Sequence, residues 1–461
     1  MVNDNAASIA VIGGGVAGIV ATYRLLQQGH RVRLFEAQPT LGGQLRTFEI
    51  GGEPIECLHQ HLFTSDGAAI RLLDELTLLK TMKWRPTTSG IFYNDRVYPF
   101  TSTLDLLRFA PLAGIRDRIR LGLVGLRLRR EREGSKFEGV TAMEWMRRNA
   151  GERNLRVVWE PLLRGQFGEI ADDVPMTWLW NRIRLRFSSR GLFSQRELFG
   201  YEVGSFGAWI KALVKLIEAL GGEIAANEAV ERVVSKDGET LRVETARARE
   251  YNVDSVLATI SNHAFLRIAP PLGQEYAARL TGTAYQDALY LVLSLSQPLT
   301  KHYWVSINDL SVPFVAIVEQ TNLVPPERYG GRHVVYLTNY LPNDSPLRRM
   351  SIDEVFALYS PHLKRINPEF DDSWVTGRWL FHVPEAQPVY TLGASSTIPD
   401  HRTPVAGIYL ANLSQMYPQD RGQNYSIVLG EEVAAIISDD LSRRGATGAG
   451  LGAASGQEGS A

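Results

Sequence analysis

Hydrophobic and polar positions fall into distinct rhythms along this chain. Near the start, Ser8–Ile12 is a short unbroken apolar run that stops at glycine, which predicts a buried strand. Residues 18–28 then place Ile19, Tyr23, Leu25 and Leu26 at helical spacing, and Gly29 ends the helix. Arg31–Phe35 is a second apolar run. Strand, helix and strand in so short a length predict a parallel βαβ unit. A related succession returns late in the chain. Residues 407–412 form an apolar run, 419–424 a polar loop with one glycine, and 425–437 a helix carrying Ile427, Val428, Val433, Ala434 and Ile437. Between these ends, Gly204-Ser205-Phe206-Gly207 precedes an amphipathic helix over 208–220, and Gly221-Gly222 leads to strands over 223–230 and 256–260. Residues 87–203 read as largely helical, whereas 262–374 mix helices with β-rich runs at 289–295 and 332–337. The pattern predicts an α/β chain in which one unit is assembled from separated segments.

The first turn carries Gly13-Gly14-Gly15-Val16-Ala17-Gly18. In a βαβ unit Gly13 permits the tight turn, Gly15 lets backbone approach a pyrophosphate, and Gly18 allows close packing of helix on strand. The helix N-terminus adds free N–H groups and the positive end of its dipole. Glu36, 18 residues beyond Gly18, stands where a carboxylate accepts hydrogen bonds from a ribose diol. Thr22 fills a helix position where a smaller residue is usual, so somewhat looser packing is expected there.

This unit alone does not separate NAD from FAD. Two features favour FAD. Gly42 and Gly43, within Leu41-Gly42-Gly43-Gln44-Leu45-Arg46-Thr47, form a second glycine turn close behind Glu36, with an ordinary surface turn as the alternative. The late segment ends its strand at Asn412 and opens its helix after Gly422, Asn424 and Tyr425, making a second helix N-terminus suited to the flavin end of the cofactor.

With these motifs in hand, the chain resembles the flavin amine oxidase, protoporphyrinogen oxidase and phytoene desaturase superfamily over residues 11–47, 221–261 and 407–437. The resemblance implies a Rossmann-type FAD-binding domain of discontinuous segments interleaved with an α+β substrate domain. The expected division is 1–86, 204–261 and 375–444 for FAD, and 87–203 and 262–374 for substrate. It implies pyrophosphate contacts at Gly13, Gly15 and Gly18, and ribose on Glu36. It also implies backbone contacts at Gly42 and Gly43, adenine against the Val230 backbone, and a ribityl-phosphate contact near Asn412. Gln44 replaces an arginine common in the family, and Asn412 an aspartate. His61, in Leu58-His59-Gln60-His61-Leu62-Phe63-Thr64, matches a histidine beside the flavin in this superfamily and in UDP-galactopyranose mutases. Its imidazole is a tentative catalytic group, with a packed, pocket-shaping histidine as the alternative. His59, Arg164 and Tyr390 are weaker candidates for the substrate pocket, with neighbouring stretches 159–164 and 387–390. Trp178 and Trp180 are expected in the core. Metal binding is not expected, because His59 and His61 lack further ligands.

Residues 108–136 hold nine basic and three acidic side chains. Arg116, Arg120, Arg127 and Arg130 share an arc of about 80° on a helix. They form either a solvated face or a contact for a membrane surface or an acidic substrate.

Composition narrows the rest. The 461 residues are 44% hydrophobic and 21% charged, a globular balance for two or three domains. The net charge of −1 gives no global attraction to nucleic acid. One cysteine, Cys57, precludes an internal disulfide and is an improbable nucleophile. No secretory signal or spanning segment is expected from the pattern, and a cytoplasmic setting is the expectation, with a peripheral membrane contact through 108–136 as an option. The Gly/Ala/Ser-rich stretch 445–461 is expected to stay unfolded. The functional expectation is an FAD-dependent oxidoreductase taking hydride from a C–H or C–N bond of a small-molecule substrate, with a separate electron acceptor. A flavin-dependent nucleotide-sugar mutase and a non-catalytic escort protein are the alternatives.

Overall fold

A computed structural model describes residues 6–188, 197–236 and 240–454. Its centre is a five-stranded parallel sheet, ordered Glu223–Ala225, Arg31–Phe35, Ser8–Ile12, Ser255–Ala258 and Ile408–Leu410. The apolar runs become strands because both faces are covered. Ile9 and Val11 pack with the first helix, Val16–Gln27, and with helices Gly207–Ala219 and Gln423–Ala454. Ala10 and Ile12 face the other way, onto Val233, Leu241 and Val243 of an antiparallel three-stranded layer and onto Phe265. The first and last helices approach so closely that a Cβ at Gly430 would sit 2.6 Å from the Ala17 carbonyl. Arg24 joins them to a third element, pairing with Glu431 at 2.7 Å and Glu75 at 2.8 Å. Thr22 is fully buried and its hydroxyl donates to the Gly18 carbonyl at 2.8 Å, so no looseness results.

A seven-stranded sheet forms the second layer system. Its order is Val375–Val389, Ala284–Leu295, His333–Leu341, Ala316–Glu319, Trp304–Ile307, Ser89–Tyr93 and Arg96–Pro99. The strand Val375–Val389 pairs along Ala284–Leu295, so this part of 375–444 joins the second sheet rather than the cofactor unit. The reason is its alternating, half-exposed pattern, which suits an antiparallel edge and not the doubly covered parallel sheet. The stretch 87–203 is also less helical than expected at its ends. It begins with the two strands Ser89–Tyr93 and Arg96–Pro99, and Glu197–Glu202 pairs with Met82–Thr87 and Leu62–Phe63. Its middle is helical and packs around Leu128, Phe137, Trp145, Trp178 and Trp180, which puts both expected core tryptophans in a core.

The expected strand over 223–230 stops at Ala225, and Val230 opens a separate antiparallel strand, Val230–Lys236. The helix Gln423–Ala454 runs into the stretch 445–461 that the sequence set apart as unfolded, while 455–461 lie outside the described residues. Among the described residues no helix is long and apolar enough to cross a membrane.

Candidate functional site: a cavity between the two sheets

The first glycine turn owes its shape to backbone contacts. Gly13 holds φ +110°, and a Cβ there would meet the Thr259 hydroxyl at 2.7 Å. A Cβ on Gly18 would stand 2.0 Å from the Gly13 carbonyl, so the helix can approach only because that position is glycine. Gly15 differs: a Cβ there would meet nothing within 4 Å and would enter a cavity of about 460 Å³. Gly15 also caps the first helix in extended conformation with no side-chain cap, leaving the first N–H groups open beside the cavity. Glu36 lines the same end, its carboxylate accepting from the N–H groups of Gly14 and Gln38, each at 2.7 Å.

The second glycine turn docks on the first. Gly42 donates to the Gly14 carbonyl at 2.8 Å, and Gly42, Gly43 and Gln44 line the cavity. Gln44 does not reach for phosphate. Its amide donates to the Ala386 carbonyl at 3.0 Å and accepts from Arg421 at 3.0 Å, tying three segments together.

At the far end the last helix presents Gly422, Gln423, Asn424 and Tyr425 to the cavity. The Asn424 side chain is committed elsewhere: it accepts from Ala68 and Ala69 at 3.0 and 3.1 Å and so caps helix Gly67–Glu75. Asn412 lines the cavity too, but its amide bonds Ile260, Asn262 and Ser414. Both asparagines therefore shape the site with their side chains already in use.

His59 and His61 sit in the wall between these ends. The His61 ring lies 4.1 Å from the Phe199 ring, and its Nδ1 is 3.0 Å from the Tyr303 hydroxyl. Burial, reinforced by Arg186 and Arg182, pushes the His61 imidazole down to about 3. Burial, then His61, Arg421, Arg182 and Arg186, hold His59 well below the usual histidine range. Both rings are thus neutral near pH 7. The Tyr303 hydroxyl has Nδ1 of His61 as its partner among the described residues. A buried O–H is costly unless it donates, which leaves the ring proton of His61 on Nε2. Burial pushes the Cys57 thiol up to about 11, away from nucleophilic reactivity.

Four expected positions fall outside the cavity lining: Gly18, which packs against Gly13, and Val230, Arg164 and Tyr390. Val230 starts its antiparallel strand, and the backbone that meets Glu36 and Gln38 is that of Glu228 and Asn227. Arg164 pairs with Glu160 at 2.9 Å and Asp172 at 3.2 Å, because its i,i+4 acid is its nearest partner on the helix. Tyr390 is buried, donates to the Leu413 carbonyl at 2.9 Å and packs on Tyr417. From the strand just before it, Val375–Val389, the cavity receives Pro384 and Glu385 instead. The wall also contains residues that no motif singled out. Arg182 and Arg186 stand one turn apart on helix Met176–Ser188, with Trp304, Tyr340 and Arg421 nearby in the lining. Their only trace in the sequence is the i,i+4 spacing of two arginines.

The residues present fit FAD. A Cβ-sized gap opens at Gly15, two helix N-termini face one cavity, and the buried Nδ1 of His59 and Nε2 of Gln423 lack partners among the described residues. A dinucleotide unit built from distant segments, with a second sheet contributing to the same cavity, is the architecture of a flavoprotein. The profile of the flavin containing amine oxidoreductases matches residues 16–419, and the chain belongs to that family, whose cofactor is FAD. It is 24% identical over 280 residues to a putative flavin-containing monoamine oxidase of Mycobacterium tuberculosis, covering 58% of this chain and 60% of the relative. The chain thus spans about three-fifths of that curated relative's length. A solved structure of a putative protoporphyrinogen oxidase from Exiguobacterium aligns with TM-score 0.75 at 18% identity, covering 95% of this chain and 99% of the other. Reduced UDP-galactopyranose mutase aligns with TM-score 0.72 at 15% identity, covering 93% and 94%. At such identities these structures share the fold.

Proposed function

We propose that the protein takes a hydride from a C–H or C–N bond of a small or lipophilic organic substrate and passes the electrons to a separate acceptor. One observation carries the reading: the cavity is continuous from Gly15 and Glu36 to His61, Trp304 and Tyr340, so a nucleotide site and an aromatic-walled pocket share one space. FAD supplies the hydride acceptor when bound. The chain's own residues do the rest. The turn at Gly13 to Gly18 seats the pyrophosphate, with Gly42 and Gly43 alongside, and Glu36 takes the ribose. The N-terminus at Gly422 to Tyr425 faces the flavin end. His61, neutral with its proton on Nε2, donates a hydrogen bond and orients what lies against it. The aromatic wall excludes water.

Anaerobic mixing of the purified yellow protein with amines, porphyrinogens, polyenes and nucleotide sugars tests this reading. Bleaching by one class, with stoichiometric recovery on adding an acceptor, is expected. Isomerised product with only catalytic reductant would replace it by a mutase, and a colourless protein would remove it.

A membrane contact belongs to the same proposal. On helix Ile115–Arg130 the buried residues Leu121, Val124 and Leu128 share one face, and the opposite face exposes Ile115, Ile119, Leu123 and Leu126. Exposed Arg116, Arg129 and Arg130 border this second apolar face and complement anionic headgroups. Arg120 and Arg127 from the expected stripe are instead bonded to the protein, at Asn149.

A further inference from the structure

The strand pair Ala284–Leu295 and Val375–Val389 breaks register beside the cavity. Gln286 pairs with Gln387 and Ala288 with Val383, so Asp287 alone stands opposite Pro384, Glu385 and Ala386. The surplus residues bulge out of the second sheet, and Pro384 and Glu385 line the cavity. Glu385 holds φ +51°, in the left-handed region that residues other than Gly, Asn and Asp seldom occupy. Strain of this kind persists only where its surroundings over-determine it. Here the fully buried Asp287 does so. One of its carboxylate oxygens accepts from the Glu385 N–H at 3.0 Å. The other meets His382 Nε2 at 2.6 Å and Arg348 Nε at 2.7 Å. From the opposite side, the Gln44 amide donates to the Ala386 carbonyl at 3.0 Å.

The bulge delivers a carboxylate to the cavity wall. Glu385 accepts from the Ser261 hydroxyl with one oxygen and meets His263 Nδ1 at 2.7 Å with the other. A carboxylate offers about four lone-pair sites, so acceptor capacity remains. The side chain is 26% exposed, and the space it lines is the cavity. Contacts on its two flanks fix its place along that space. Ser261 lies just beyond Thr259, whose hydroxyl donates to the Gly13 carbonyl at 2.9 Å. On the other flank, Gln44 accepts from Arg421, the residue before Gly422 at the start of the last helix. Glu385 therefore stands between the turn that seats the pyrophosphate and the helix end that faces the flavin ring. The part of FAD that joins those two groups is the ribityl chain, a run of hydroxyl groups. Hydroxyls donate to a carboxylate, whereas phosphate oxygens and ring carbonyls offer it no proton.

We propose that Glu385 binds ribityl hydroxyl groups of FAD, so that the second sheet grips the cofactor directly. The inference rests on the reading of the cavity as an FAD site. Asp287 and Gln44 act as positioning residues, holding the bulge from which the carboxylate reaches. Ser261 and His263 fix its two oxygens and leave the open lone pairs toward the cavity.

The test titrates FAD, and FAD analogues that each lack one ribityl hydroxyl, into the full chain freed of flavin. Quenching of flavin fluorescence reads the affinity. Glu385→Gln should weaken FAD binding about tenfold or more. At least one analogue should bind the wild-type chain about tenfold more weakly than FAD does, and that penalty should nearly vanish in Glu385→Gln. Glu385→Asp, which withdraws the carboxylate by one methylene, should lose the same discrimination. Equal penalties for each analogue in wild type and both variants would overturn the proposal, because the carboxylate would then only clamp Ser261 and His263. Undiminished affinity of the wild-type chain for every analogue would overturn it whether or not the variants fold. Failure of the wild-type chain to bind FAD at all would instead refute the underlying cofactor site.

Discussion

Gly15 and Gly42 lie side by side as a parallel bridge, so the two glycine turns form one continuous backbone cradle. A Cβ at Gly43 would come 3.0 Å from the Gly15 Cα, whereas one at Gly15 itself would project into the cavity. Gly15→Val is therefore expected to fold, since nothing in the protein opposes the new side chain, and to lose FAD by filling the pyrophosphate space. Flavin released on denaturation, measured per mole of protein, should fall from near one to near zero. A variant retaining stoichiometric FAD would remove the pyrophosphate from this turn.

His61 and Tyr303 make a second, separable prediction. His61→Ala should keep the flavin, because the glycine cradle is untouched, and lower turnover by about a hundredfold through loss of the orienting hydrogen bond. Tyr303→Phe should cost less, since only the orientation of the ring is loosened. Because the His61 imidazole titrates at about 3, turnover between pH 5 and 9 should show no limb belonging to it. Unchanged turnover in His61→Ala would reduce this residue to a packing role.

Glu319 links pH to stability. It is fully buried and accepts from the N–H groups of Leu299 and Thr300, at 3.3 and 2.6 Å. Burial raises it from 4.5 to about 8, and burial raises Glu56 from 4.5 to about 7. A carboxyl with a raised folded-state pKa favours folding fully below its unfolded value, and that contribution fades as pH climbs through the folded value. The melting midpoint should thus fall between about pH 5 and pH 9. Glu319→Gln should flatten the upper part of that slope, whatever its effect at pH 5. An equally steep slope in the variant would contradict the assignment.

The exposed apolar face on Ile115–Arg130 predicts binding to vesicles. Flotation with vesicles rich in phosphatidylserine should carry the protein up, and neutral phosphatidylcholine vesicles should do so much less. Leu123→Glu, at a position 61% exposed, should abolish flotation while leaving FAD content and melting unchanged. Equal flotation of wild type and variant would rule the face out.

How much of this was legible beforehand follows from where the forces act. The strand Ser8–Ile12, the helix after it and Arg31–Phe35 were readable because local periodicity and glycine sterics fix them. Gly15, Glu36, Gly42, Gly43 and the start of the last helix line one cavity for the same reason. Val230 and Tyr390 fall outside that lining because their surroundings depend on partners distant in sequence, and Arg164 because Glu160, one turn back on its helix, holds it. Val375–Val389 went to the wrong unit because its neighbour, Ala284–Leu295, lies about ninety residues away. Arg182 and Arg186 carry no motif at all, and Arg421 stands unmarked within the polar loop 419–424. Only the tertiary fold aims a surface-like i,i+4 pair inward, and nothing in a single sequence distinguishes it from a solvated helix face.

The central sheet has an order of assembly built into it. Its edge strand Ile408–Leu410 is made long after Ser255–Ala258, beside which it pairs, and longer still after Ser8–Ile12, the next strand in the sheet. Until that strand has left the ribosome, the nascent chain carries an open parallel edge and a half-made cavity. The cofactor site is therefore complete only once the chain has been made past Tyr425. FAD then fastens the first glycine turn to residues far downstream, and a truncation before Ile408 that spares every residue of that turn would still leave a protein unable to hold flavin.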